Sequence, residues 1–91
     1  MEEKFLAALA ANREKAEKLG VRIRPVEDMK QAKRILSGSR ASDGFGQLAD
    51  LGQLKLSLEA LAIDKRYTSL FTDEEANIAL ERLLGAGYQF S

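Results

Sequence analysis

Gln47-Leu48-Ala49-Asp50-Leu51-Gly52-Gln53-Leu54-Lys55-Leu56-Ser57-Leu58-Glu59-Ala60-Leu61-Ala62-Ile63-Asp64-Lys65 is the stretch on which the fold class turns. Leu51, Leu54, Leu58 and Leu61 recur at spacings of three, four and three, which lines one face of an α-helix. Leu48 carries this seam one turn earlier. Ala49, Gly52, Leu56, Ala60 and Ile63 form a second apolar face. A helix that is apolar on two sides packs on both, so residues 47–65 predict a long central helix. Ala49, Gly52 and Ala60 are small enough to admit a close neighbour. Lys55 and Glu59, four apart, read as a supporting pair on the solvent side.

Three further helices surround this one in the reading. Phe5, Leu9, Ala16 and Leu19 form a stripe over 2–19, with Glu2 and Glu3 at the end where the helix dipole favours carboxylates. Gly20 stands where a left-handed C-terminal cap belongs. Asn12 interrupts the stripe and reads as a groove-edge residue, or alternatively as a buried polar pair setting register in an oligomer. Met29, Ala32, Ile35 and Leu36 define a helix over 26–37. Thr72 followed by Glu75 is a capping box, and it opens a helix over 72–85 whose inner face is Ala76, Ala79, Leu80, Leu83 and Leu84. Alternation at Val21-Arg22-Ile23-Arg24 and at Gly87-Tyr88-Gln89-Phe90 is strand-like. A lone short strand needs a partner, so these runs allow a minor two-stranded β pair, 21–24 with 87–90. The expectation is one all-α domain over 1–91, a small irregular four-helix bundle with a central third helix.

Composition narrows the function. The 91 residues carry 14 Lys and Arg against 14 Asp and Glu, with no Cys and no His. Disulfides, thiolate sites and histidine chemistry are therefore absent. Any catalysis would fall to carboxylates, Ser, Thr, Tyr or Lys. Asp73, Glu74 and Glu75 are accounted for by helix capping. Asp50 and Asp64 lie fourteen residues apart, roughly 21 Å along a helix, too far to act as a catalytic pair. The Ser- and Gly-rich loop 37–46 lacks the Lys and Ser/Thr of a phosphate-binding loop. No metal-ligand spacing occurs, and no apolar run approaches the roughly 18 residues of a membrane span. The expectation is a non-enzymatic protein without cofactor or metal. The first residues show no export signal, so a cytoplasmic location is expected.

Charge is neutral overall but unevenly placed. Residues 1–41 hold ten basic and six acidic side chains, and residues 42–91 hold four basic and eight acidic. Arg22, Arg24, Lys30, Lys33, Arg34 and Arg40 form the candidate binding set, with the flexible loop 37–46 beside them. Three readings of this basic face follow: a solvated face, a dock for an acidic protein surface or a second copy of the chain, and a nucleic-acid contact. Overall neutrality and an acidic start to the last helix weigh against phosphate backbones. The leading expectation is a small interaction module (an adaptor, inhibitor or assembly factor), with a homodimer favoured. A nucleic-acid-binding accessory protein using the same residues is the alternative.

Overall fold

A computed structural model describes residues 1–88 and bears out the all-α reading. Its helices are α1 (Glu2–Lys18), α2 (Met29–Ser37), α3 (Phe45–Asp50), α4 (Leu58–Ala62) and α5 (Asp73–Gly85), with 3-10 turns at Leu54–Leu56 and Thr68–Leu70. No strand forms among the described residues.

The expected four-helix arrangement is corrected at its centre. Residues 47–65 do not form one helix; they form the end of α3, a 3-10 turn and the short α4. Two capping residues override the leucine period. Gly52 adopts φ +69°, which L side chains rarely do. Around it the Gln53 N–H donates to the Leu48 carbonyl at 2.8 Å, the bond that closes a Schellman cap and ends α3. Ser57 then starts α4. Its hydroxyl accepts from the Ala60 N–H at 3.1 Å and donates to the Leu54 carbonyl at 2.6 Å. The chain therefore bends twice, and Leu51 is left exposed rather than in a seam. Glu59 also departs from expectation: it is fully buried, not on a solvent-facing side with Lys55.

The other boundaries follow from local chemistry. The α1 end repeats the Schellman pattern, with the Val21 N–H on the Ala16 carbonyl at 2.9 Å and Gly20 at φ +87°. Asp28 accepts from the Gln31 N–H at 2.8 Å, so α2 starts after it rather than at Val26. Tyr88 donates its N–H to the Leu83 carbonyl at 2.9 Å, which makes it part of the α5 cap. Of the β pair considered for 21–24 with 87–90, Gln89 and Phe90 lie outside the described residues.

Packing produces two adjoining apolar clusters. In the first, Phe5 is wholly buried between Tyr67 and Phe71, with ring centroids at 5.4 and 5.2 Å in edge-to-face contact. Leu36, Leu61 and Ala79 close it from α2, α4 and α5. The second joins Ala16, Val21, Phe45, Leu48, Leu54 and Leu83. Helix α1 contributes to both, and α4 packs on α5 and α1.

The capping box at α5 forms as the sequence implies. Glu75 accepts from the Thr72 N–H at 2.8 Å, and Thr72 accepts from the Glu75 N–H at 3.1 Å. Burial acts to raise the Glu75 pKa, but the Thr72 N–H and the Lys33 ammonium hold it below the ordinary glutamate value. A depressed carboxyl pKa contributes stability that is present above the unfolded value and lost as pH falls through the folded one. Glu75→Gln keeps a capping side chain but does not titrate. Its stability loss from pH 6 to about pH 3 should therefore be smaller than that of the unsubstituted chain, as read by chemical denaturation. Equal losses would show that Glu75 makes no such contribution.

Candidate functional site

A groove of about 590 Å³ opens between α1, the irregular segment 21–27, α2 and the loop 38–43. Its apolar lining includes Leu9, Ile23, Val26, Ile35, Leu56 and Leu58. Four guanidinium groups line it as well, from Arg13, Arg24, Arg34 and Arg40, against one carboxylate, Asp43. The four are not equally committed. Arg13 pairs with Glu17 at 2.7 Å, and Arg24 pairs with Asp43 at 3.1 Å. Arg34 and Arg40 are exposed and make no ion pair or side-chain hydrogen bond among the described residues. They come from the last turn of α2 and from the loop that follows it.

The wall carrying Arg40 is anchored at both ends. The Ser42 N–H and hydroxyl donate to the Glu59 carboxylate at 2.9 and 2.5 Å. Arg82 of α5 pairs with the same carboxylate at 3.3 Å. It also donates to the Ile35 carbonyl at 3.3 Å and the Gly38 carbonyl at 2.6 Å. One buried ion pair thus ties the end of α2, the start of the loop and Ser42 to the α4–α5 core. Among the described residues no buried side-chain polar atom lacks a partner, so the desolvation cost of this pair is offset by a full hydrogen-bond set.

Of the six basic residues singled out in the sequence, the groove gathers Arg24, Arg34 and Arg40. Arg22 and Lys30 are exposed outside it. Lys33 is engaged within the fold: it pairs with Glu75 at 3.2 Å and lies 5.4 Å from the Phe71 ring centroid. Arg13 is the groove residue that the sequence reading missed. Its spacing from Leu9, one helical turn, was the available signal.

A second groove, of about 660 Å³ and more open to solvent, lies across α1. Asn12, Lys15, Lys18, Lys55 and Arg66 are among its lining residues. Asn12 is half-buried there, the groove-edge position expected of it. Arg66 is tied to Asp64, and its hydrogen bonds hold the Asp64 carboxyl below the ordinary range.

Among the described residues no group of three or more acidic side chains could hold a metal ion, and no helix is long and apolar enough to cross a membrane. Comparison with protein-family models, curated proteins and solved structures finds no match for this chain.

Proposed function

We propose that this chain is a non-enzymatic protein–protein interaction module that docks an acidic segment of a partner protein into the arginine-lined groove. The observation that carries this reading is the pair of uncommitted guanidiniums, Arg34 and Arg40, on the wall of an apolar-floored cavity. Guanidinium groups favour planar, bidentate carboxylate contacts. The apolar floor supplies burial that a purely electrostatic surface lacks. An inserted chain suits a cavity better than a row of duplex phosphates, which meets basic groups along an exposed face.

Hexaglutamate is a suitable first probe. Calorimetric titration should show binding by the unsubstituted chain that weakens as salt rises. Arg34→Glu/Arg40→Glu should bind at least about tenfold more weakly. Its helicity should be unchanged, because neither side chain is used in the fold. Arg22→Glu/Lys30→Glu, both outside the groove, is the charge-matched control and should keep most of the affinity. Equal affinity for the double variant and the unsubstituted chain would contradict the assignment.

A further inference from the structure

We infer that the occupant of this groove is an extended acidic–aliphatic segment that adds as a β-strand along the backbone edge of residues 22, 24 and 26, an inference that rests on the partner-docking reading above.

The segment between α1 and α2 leaves its main chain unusually open. Among the described residues, no backbone–backbone hydrogen bond involves residues 22–27. Side chains satisfy part of it, holding the Arg24 and Glu27 N–H groups and, among the carbonyls, alternate ones. The Ile23 carbonyl accepts from Arg13 at 3.5 Å, and the Pro25 carbonyl accepts from Gln31 at 3.4 Å. The carbonyls of Arg22, Arg24 and Val26 have no partner within the described chain.

In extended backbone the N–H and C=O of one residue share an edge, and successive residues alternate between edges. Pro25 biases Arg24 towards extended backbone by its own sterics. Residues 23 and 25 therefore present the edge that α1 and α2 have taken. Residues 22, 24 and 26 present the other. The Arg24 N–H locates that second edge, because it donates to the Asp43 carboxylate at 3.3 Å, and Asp43 belongs to the 38–43 wall. This edge, open apart from that one N–H, thus faces across the groove. Proline's missing N–H falls on the occupied edge, so it does not interrupt the open one.

The opposite wall is open as well. Among the described residues, Ser39, Arg40 and Ala41 make no backbone–backbone hydrogen bond. An incoming strand would meet, on one side, an edge whose groups are unpaired apart from the Arg24 N–H held by Asp43, and on the other, uncommitted loop backbone. Its side chains would alternate between the apolar floor (Leu9, Leu56 and Leu58) and the rim that carries Arg34 and Arg40. Aliphatic residues suit the first set and carboxylates the second. A partner of this kind also meets the need of a strand-like run at 21–24 that no strand within the described residues satisfies.

The test uses the full chain, labelled with nitrogen-15, and the peptide Ac-Glu-Val-Glu-Val-Glu-NH2. Two analogues carry backbone N-methyl groups, one on both Val amides and the other on the Glu amides. They keep every charge and side chain but remove donors from one edge at a time. The parent peptide should bind and shift the amide signals of Arg22, Arg24 and Val26. One analogue should bind at least about tenfold more weakly than the other. Equal binding by the two analogues, at or below the affinity of the parent, would overturn strand addition along this edge and leave charge-driven docking standing. Binding of hexaglutamate without binding of the parent would have the same meaning. If neither hexaglutamate nor the parent binds, the docking reading falls together with this one.

Discussion

Arg82→Ala is expected to destabilise the chain by about 3–5 kcal/mol, the usual cost of leaving one member of a buried ion pair alone. For a domain of this size that is a fall in Tm of about 12 °C or more. Glu59 has no exposed surface, so its charge would remain in the core without its guanidinium. The Ile35 and Gly38 carbonyls would lose their donor in the same step. The effect does not mean that the pair is strongly stabilising in itself, since taking both charges out of water costs about as much as their attraction returns. Replacing both, as Glu59→Met/Arg82→Met, should therefore be milder than Arg82→Ala alone. Thermal and denaturant unfolding of the two variants checks this. A loss under about 1 kcal/mol for Arg82→Ala would show that water or a neighbouring cation readily replaces the guanidinium. The double variant should still affect the groove, because the loop bearing Arg40 loses both of its anchors.

Phe5→Ala should cost a similar amount, about 3–5 kcal/mol. Phe5 has no exposed surface and sits edge-to-face with two rings. Such contacts add to simple area burial. The cavity left behind would be walled by Tyr67 and Phe71, which belong to the segment joining α4 to α5 and cannot collapse without moving both. Phe5→Leu, which retains most of the volume, should cost less than half as much. Denaturant midpoints for the pair test this, and similar costs for Ala and Leu would point to solvent reaching the Phe5 site.

What could be read from the sequence was local. Gly20 ends α1 and Thr72 with Glu75 begins α5, because caps are decided within four or five residues. The same kind of signal was present at Gly52 and Ser57, but the leucine spacing around them outweighed it. A helical period of apolar residues reports one buried face; it does not report that the backbone remains one helix between them. Leu54 and Leu58 are both buried, yet they belong to a 3-10 turn and to α4. The burial of Glu59 was not legible. Its partner Arg82 lies twenty-three residues away, and its other contact, Ser42, comes from a loop that sequence alone presents as a flexible connector. For the groove, charge density drew attention to 22–40 but did not show which cations the fold would gather there. Lys33 turned out to serve Glu75 and Phe71, whereas Arg13 joined from a helix with a mixed polar face.

The most direct test of the acidic-segment dock is a nitrogen-15 amide map of the chain titrated with hexaglutamate at low and high salt. The groove account predicts saturable shifts at Ile23, Arg24 and Val26 and over Arg34–Asp43, reduced at high salt. Shifts centred instead on Lys15, Lys18 and Lys55 would place acidic ligands in the second groove, and an unchanged map would mean that neither basic surface is a dock for them. Either result would contradict the assignment.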